Sequence, residues 1–320
     1  MGITRSLFLL FLSVGCTSSS DDETTDGSSP ELVFSDTTDT GSTSFQTDST
    51  TGAGGEPDPD VNTWVPESWP LETPARIVFF GDSITKGAGA RSDELDYVSL
   101  LLSNDNERYP AYEGWDLTTM FGDVPAYDAS QNGATTETVI DVQLPAIMDA
   151  VGEQPAGLTL VVGTIGGNDA QDVVFGLRDL GEERERIADN VDAIANFFLD
   201  DQRFPDGAMV YITNVYEPTD GEGQADGCFF GIDLSFVLDD FEGLNQDTLA
   251  RAQQSGWAWV DLRGHFLGHG HNHDNTEMDA YDASDPTLWL AGDCIHPNDR
   301  GHHEVRRLFL SAIDNRPLPL

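Results

Sequence analysis

The stretch RIVFFGDSITKGAGA, residues 76–90, places Ser83 in a glycine-rich loop directly after an apolar run. It is not a phosphate-binding loop, because Lys86 precedes Gly87 with no hydroxyl residue in register, and the G-x-G-x-x-G spacing is absent. The G-x-S-x-G elbow is excluded as well, since Thr85 stands where its second glycine belongs. Two interpretations of Ser83 remain: a nucleophile on a strand-to-helix turn, or a serine that caps the following helix.

A carboxylate and an imidazole lie close together near the other end of the chain. In AGDCIHPNDRGHH, residues 291–303, Asp293 and His296 are separated by two residues. This spacing fits a single turn, in which the carboxylate holds one ring nitrogen and orients the other. The alternative is a surface histidine beside an acid that caps a helix.

Two further loops carry residues that could assist at a reacting carbonyl. In SQNGATTET, residues 130–138, Gly133 would let the backbone approach a ligand closely, or would serve only as a turn residue before a capped helix. In GTIGGNDAQD, residues 163–172, the side chain of Asn168 could donate an N–H to a developing oxyanion, or could form an Asx-turn.

Taken together, the blocks GDSI, NGATT, GGND and DCIHPND resemble those of the SGNH (GDSL) hydrolase family over residues 76–316. The resemblance implies a flavodoxin-like α/β/α sandwich with a parallel central sheet. It implies Ser83 as the nucleophile and His296 as the general base, oriented by Asp293. It further implies an oxyanion hole made of the N–H groups of Ser83 and Gly133 and the side chain of Asn168, with no metal or other cofactor.

The elements that must position these residues alternate along the chain after residue 75. Apolar, β-rich runs predict strands at 76–80, 124–130, 157–166, 208–216 and 257–262. Helical spacing predicts helices over Asp96–Leu102, Thr136–Val151, Glu182–Leu199, Gln246–Ser255 and His302–Ala312. Alternating strands and helices indicate a parallel sheet covered on both faces, with its reactive groups in loops at the carboxyl ends of the strands.

The composition limits the possible partners of the chain. Its 320 residues carry 57 acidic and 15 basic side chains, for a formal net charge of −42. Such a surface repels nucleic acid, so a nucleic-acid partner is excluded, and it favours solubility at high salt.

The N-terminal residues predict export. Residues 1–16, MGITRSLFLLFLSVGC, resemble a bacterial lipoprotein signal in which Cys16 is acylated; an ordinary secretory signal is the alternative. Residues 17–73 are rich in Ser, Thr, Asp and Gly and predict a disordered tether, which leaves 74–320 as the hydrolase domain. We therefore expect an exported protein that is lipid-anchored to a bacterial outer membrane or cell surface, and otherwise periplasmic or secreted.

With Cys16 assigned to a lipid, Cys228 and Cys294 remain, and a bridge between them is the simple hypothesis for an exported chain; separate thiols are the alternative.

The long connection over 217–244 could line an acyl pocket with its phenylalanines or pack them onto the domain, and it could act as a lid. These residues are Phe229, Phe230, Phe236 and Phe241.

Two motifs suggest metals, and we discount both. DGEGQADG, residues 220–227, lacks the third acid and the closing Glu of a calcium loop. The histidines of GHFLGHGHNHDN, residues 264–275, could chelate zinc if they shared one side of an extended segment, but surface or cleft-lining positions are the simpler interpretation. They are His265, His269, His271 and His273.

We accordingly expect a serine esterase that acts on carboxylic esters, with small acyl groups on carbohydrate favoured by export and the acidic surface. A lipase or lysophospholipase using the same site is the alternative among enzymes. A surface-tethered glycan-binding protein with a vestigial site is the alternative from another class.

Overall fold

A computed structural model describes residues 62–67, 69, 72–174, 180–224, 227, 228, 233–314 and 319. Within them, five strands form one parallel sheet with the order β2-β1-β3-β4-β5. The strands are β1 (Arg76–Gly81), β2 (Ala126–Asp128), β3 (Thr159–Thr164), β4 (Ala208–Thr213) and β5 (Ala258–Val260). This order is the flavodoxin-like one, so the predicted fold class is confirmed.

Helices cover both faces of the sheet. They are α1 (Tyr97–Leu102), α2 (Leu117–Phe121), α3 (Thr136–Thr138), α4 (Leu144–Val151), α5 (Gly167–Val174), α6 (Leu180–Leu199), α7 (Leu238–Ser255), α8 (Leu262–Phe266) and α9 (Asp299–Asp314). A π-helical segment, Val139–Gln143, joins α3 to α4, and short 3₁₀ helices cover Asp93–Leu95, Pro110–Tyr112 and Ser235–Val237. None of the helices in the described ranges combines the length and apolar composition needed to cross a membrane.

The two faces of β1 contribute to two separate hydrophobic layers. Ile77 and Phe79 pack into the layer formed by α1, α2, α8 and α9, whereas Val78 and Phe80 pack into the layer formed by α4, α6 and α7. This alternation follows from the two-residue period of a strand. Burial on both sides explains why β1 is a continuous apolar run over 77–80.

The sheet order determines where a site can form. β1 lies between β2 and β3, so the chain leaves β1 in one direction for β2 and returns past β1 to reach β3. Such a switch point opens a crevice at the carboxyl ends of the strands. The loops after β1, β2 and β3 all end at that crevice.

The folded part begins before the predicted boundary at residue 74. Trp64 forms an antiparallel bridge with Trp259 of β5, and the backbone of Asn62 donates to the carboxylate of Asp261. Trp69 packs edge-on against Tyr211. Burial of the apolar surface of Trp64 and Trp69 stabilises the folded structure here, which the polar composition of the sequence before residue 74 did not predict. The predicted signal with Cys16, and the tether up to residue 61, lie outside the described residues.

The predicted strands and helices are present with shifted ends. α7 begins at Leu238, eight residues before the predicted start, because the loop ahead of it turns into a 3₁₀ helix and then continues as α helix. The short helices α2, α5 and α8 were not predicted. α2 and α8 are capped by Asp116 and Asp261, whose side chains accept backbone N–H groups.

Candidate active site

Ser83 lies in a series of tight turns after β1, not at the start of a helix. The N–H of Ala88 donates to the carbonyl oxygen of Ser83 at 2.8 Å, and the N–H of Lys86 donates to that of Asp82 at 3.0 Å. The next α helix, α1, begins only at Tyr97, where Asp96 caps it. The helix expected directly after Ser83 therefore does not form, and Ser83 is not a helix cap.

Ser83, His296 and Asp293 form one hydrogen-bonded chain. The Oγ atom of Ser83 is 2.8 Å from Nε2 of His296, and Nδ1 of His296 is 2.6 Å from an oxygen of Asp293. The other oxygen of Asp293 accepts the backbone N–H groups of Ile295, at 3.1 Å, and of His296, at 3.0 Å. These bonds fix the imidazole with one nitrogen on the carboxylate and the other on the serine.

The electrostatics of the pair favour an ionised carboxylate. Burial alone raises the pKa of Asp293, but the hydrogen bonds from the ring and backbone of His296 outweigh it and hold the pKa at about 2. At neutral pH the carboxylate is charged and accepts the Nδ1 proton of His296. Nε2 is then the nitrogen available to take a proton from Ser83.

The turn that carries His296 is pinned on both sides. The N–H of Ala291 donates to the carbonyl oxygen of His296 at 2.7 Å, and Leu290 pairs with Pro297 in an antiparallel bridge. Gly89 of the serine loop has φ +94, and a Cβ there would lie 2.2 Å from the carbonyl oxygen of Pro297. Only glycine permits this approach of the two loops.

A hydrogen bond connects the loop that carries Gly133 to Asn168 in the first turn of α5. The side-chain amide of Asn168 donates to the carbonyl oxygen of Ala134, the residue after Gly133, at 2.9 Å. Gly133 has φ +74, which turns the backbone there in a way that other residues rarely adopt. The backbone N–H groups of Ser83 and Gly133 donate to no other described residue. The amide of Asn168 retains one N–H besides the one given to Ala134.

An apolar cleft opens beside Ser83, Asn168 and His296. Its walls come from the serine loop, the end of β3, the loop after β4 and the start of α7. They include Ile84, Ile165, Val215, Leu234, Val237 and Phe241. Several of these side chains form a small hydrophobic cluster between α5 and α7, so the wall is supported from behind.

The phenylalanines of the predicted loop have different environments. Phe241 is buried and lines the cleft, but it belongs to α7 and not to a loop. Phe236 is 67% exposed. Phe229 and Phe230 lie outside the described residues.

Cys228 and Cys294 form a disulfide in the structure, with their Cα atoms 5.8 Å apart. Cys294 is one residue after Asp293 and two before His296, so the bridge ties the connection after β4 to the histidine turn. Cys294 has φ +72, a conformation that residues other than glycine rarely adopt.

The four histidines of residues 264–275 do not converge on one point. His265 contacts Glu304 at 2.9 Å, His269 stacks on Trp289 and His273 contacts the carbonyl oxygen of Gly270. His271 lies near the two cysteines, and these are the described residues that come together as a potential set of three metal ligands. Both sulfurs are already joined in the disulfide.

Comparison with known proteins identifies the family. The model of the GDSL-like lipase/acylhydrolase family matches residues 79–304, more than half of the chain. The chain belongs to this family. It is therefore a hydrolase of ester bonds, and the resemblance found in the four sequence blocks is confirmed. The chain has no match among curated proteins.

Solved structures of similar fold include esterases and lipases. An acetyl xylan esterase aligns with a TM-score of 0.50 and 19% identity, covering 74% of this chain and 98% of that one. An acetylxylan esterase from Geobacillus stearothermophilus gives a TM-score of 0.47 at 17% identity, covering 75% and 94%. An extracellular lipase from Streptomyces rimosus gives 0.46 at 17%, covering 75% and 99%. At these identities the similarity concerns the fold.

Several polar residues of the site were not predicted. Asp82, Thr85, Tyr97 and Thr164 form a buried hydrogen-bond chain beside Ser83. Asp82 adjoins Ser83 in the GDSI block, which was a usable signal. The other three come from separate elements, and no local pattern relates them.

Proposed function

We propose that this chain hydrolyses carboxylic esters, with Ser83 as the nucleophile, His296 as the general base and Asp293 as the group that orients His296. The observation that carries the proposal is the continuous hydrogen-bond chain from Ser83 through His296 to Asp293 at the edge of an open cleft. A serine hydroxyl becomes an effective nucleophile when a neighbouring imidazole accepts its proton.

In the first half of the reaction, Oγ of Ser83 bonds to the carbonyl carbon while Nε2 of His296 takes the hydroxyl proton. The tetrahedral intermediate collapses as the bond from carbon to the alcohol oxygen breaks, and His296 returns the proton to the leaving alcohol. Water then attacks the acyl-serine in the same way, its proton passing through His296 back to Ser83. The products are one carboxylic acid and one alcohol, and no cofactor is consumed.

We propose that the oxyanion of each intermediate is bound by the N–H groups of Ser83 and Gly133 and the free N–H of Asn168. Ser83 and Gly133 lie in loops at the crevice between β1 and its neighbours, and Asn168 lies in the first turn of α5. The bond from Asn168 to Ala134 supports a fixed spacing between Asn168 and Gly133. Donors held in place before the reaction stabilise the developing charge without reorganisation.

The substrate proposal concerns the acyl group. The cleft beside Ser83 is walled mainly by apolar side chains, and it extends over β3, the loop after β4 and α7. Such a surface favours an acyl chain longer than acetyl, because each buried CH₂ contributes about 0.8 kcal/mol. For the alcohol part of the ester we propose a carbohydrate hydroxyl as a second candidate substrate, given the acidic surface of the chain. A purely binding function has less support, since Ser83, His296 and Asp293 are joined by hydrogen bonds.

Ser83→Ala provides the first test. We expect loss of p-nitrophenyl ester hydrolysis and loss of fluorophosphonate labelling, and we expect labelling to require His296 as well. Ser284→Ala, which alters an exposed serine away from the cleft, is the matched control. Hydrolysis by Ser83→Ala at the wild-type rate would refute the assignment.

A series of acyl lengths tests the substrate proposal. We expect kcat/KM to rise from acetate to longer p-nitrophenyl esters until the cleft is filled. A substitution in the wall, Val237→Trp, should move the optimum toward acetate. An optimum at acetate in the wild type, unchanged by this substitution, would contradict an acyl cleft.

We also propose export with a lipid on Cys16, as the first sixteen residues suggest. Membrane-fraction recovery and incorporation of labelled palmitate should both be lost in Cys16→Ser. Recovery in the soluble fraction for the wild type would favour an ordinary secretory signal.

A further inference from the structure

A buried chain of hydroxyl groups ends on the carboxylate next to the nucleophile. Oγ1 of Thr164 donates to Asp82 at 2.8 Å, Thr85 and Thr164 are joined through their hydroxyls at 2.9 Å, and Tyr97 and Thr85 at 2.8 Å. All four side chains are almost fully buried. We call these four residues the hydroxyl relay.

The direction of every hydrogen bond in the relay is fixed when Asp82 is ionised. The hydroxyl proton of Thr164 goes to Asp82, so at the next contact Thr85 must donate to Thr164. The proton of Thr85 is then used, so Tyr97 must donate to Thr85. Thr85 also accepts the backbone N–H of Thr164 at 3.2 Å, which completes its bonding capacity. All hydroxyls therefore point toward Asp82.

The relay joins the loop that holds Ser83 to the end of β3, which precedes Asn168 of α5. Asp82 accepts the N–H of Ile84 at 3.0 Å and donates its own N–H to the carbonyl oxygen of Thr164 at 3.1 Å. Both chain neighbours of Ser83 are thereby held. Thr164 is the last residue of β3, four residues before Asn168. A shift of Thr164 relative to Asp82 would change the spacing between Ser83 and Asn168.

We propose that the hydroxyl relay positions the oxyanion-binding groups, with Asp82 and Thr164 acting as positioning residues that lock the serine loop to the end of β3. This inference rests on the proposed function of Ser83 and Asn168. A tetrahedral oxyanion is stabilised well only when its donors are held in place within a fraction of an ångström. The relay supplies this restraint through hydrogen bonds among protein groups, two of which, Asp82 and Thr164, also line the cleft.

The ionisation state of Asp82 depends on the pH of the assay. Burial raises the pKa of Asp82 to about 6, although the bonds from Thr164 and Ile84 lower it. A positive charge on His296 lowers the pKa of Asp82, and the negative charge of Asp169 in α5 raises it. At pH 8 Asp82 is ionised, so assays at that pH report on the intact relay.

Thr164→Val and Thr164→Ser make the central comparison, because the first removes only the hydroxyl while keeping the shape, and the second retains the hydroxyl. At pH 8 we expect Thr164→Val to lower kcat by about 10- to 100-fold with little change in KM, the size expected for one hydrogen bond to a charged group. Thr164→Ser should restore most of that loss. Thr248→Val, a buried threonine of α7 that accepts from Trp259, controls for the loss of a buried hydroxyl elsewhere.

Two results would overturn the proposal in an enzyme whose activity requires Ser83. The first is a kcat for Thr164→Val equal to that of Thr248→Val. The second is a loss of kcat in Thr164→Ser as large as the loss in Thr164→Val. If Thr164→Val does not fold, Tyr97→Phe removes the first donor of the relay instead. It should lower kcat by about fivefold at unchanged KM, and wild-type kcat there would overturn the proposal as well. Failure of the proposed function is distinguishable, since activity would then persist in Ser83→Ala.

Discussion

The side chain of Asn168 offers the sharpest test of how the site binds an oxyanion. Its amide has two N–H groups, one of which donates to the carbonyl oxygen of Ala134 at 2.9 Å. The second is free for the substrate. We predict that Asn168→Ala lowers kcat by about 10²–10³-fold, equivalent to ~3–4 kcal/mol of transition-state stabilisation. KM should change little, because the bond strengthens only as charge develops on the carbonyl oxygen.

The same substitution has a second, smaller consequence. Loss of the bond to Ala134 removes about 1 kcal/mol from the free energy of unfolding, the usual net contribution of a hydrogen bond. Asn190→Ala is the matched control, because Asn190 makes a comparable bond to Thr136 and does not line the cleft. It should show a similar loss of stability with nearly normal kcat. Asn168→Asp should be at least as inactive as Asn168→Ala, since it places a negative charge beside the oxyanion.

The assay is steady-state hydrolysis of p-nitrophenyl butyrate at pH 8, with stability measured by urea unfolding of each variant. Our reasoning is refuted if Asn168→Ala is folded and retains a kcat close to that of Asn190→Ala. It is also refuted if the loss appears in KM alone, because Asn168 would then bind the ground state and not the transition state.

Three further predictions concern the supporting structure. Asp293→Asn should lower kcat by about 10³-fold in the same ester assay, because the charge that orients His296 is lost. Replacing Cys228 and Cys294 by serine should lower the free energy of unfolding in urea by about 2–4 kcal/mol, since their bridge closes a loop with a sequence separation of 66. Glu304→Gln should cost about 3 kcal/mol at pH 7, because it breaks a buried ionic contact network.

The last prediction carries a pH dependence. Burial alone raises the pKa of Glu304, but the bonds and charges of His265, Arg307 and Arg300 outweigh it and hold the pKa at about 2. A lowered folded-state pKa means that the contribution is present above the unfolded value near 4.5 and is lost as pH falls toward 2. Wild type and Glu304→Gln should therefore converge in stability on acidification. A constant difference down to pH 2 would contradict this account.

Each of the other two predictions has its own contrary outcome. Near-normal kcat in Asp293→Asn would mean that the backbone alone orients His296. An unchanged urea midpoint in the cysteine double variant, compared with oxidised wild type, would mean that the bridge contributes no stability. Reduced wild type should behave like the double variant.

The fold class followed from the sequence because it depends on local patterns. The strands β1, β3, β4 and β5 are buried on both faces and therefore appear in the sequence as apolar runs, as in the segment 76–80, whereas the edge strand β2 is largely exposed. The residues at which helices and strands begin and end were predicted less well from the sequence. The start of α7 depends on how the preceding loop packs, and the ordering of Trp64 depends on the edge of β5, to which it is close only in space.

The sequence by itself determined the chemical groups, since a serine, a glycine and an asparagine follow three strands in order and an Asp–His pair comes later in the chain. Only the tertiary structure decided their contacts. Ser83 and His296 are 213 residues apart, and the sheet order brings their loops together. The relay from Tyr97 to Asp82 and the apolar wall of the cleft draw on several elements at once. Packing of distant segments, which no local pattern encodes, decides such contacts.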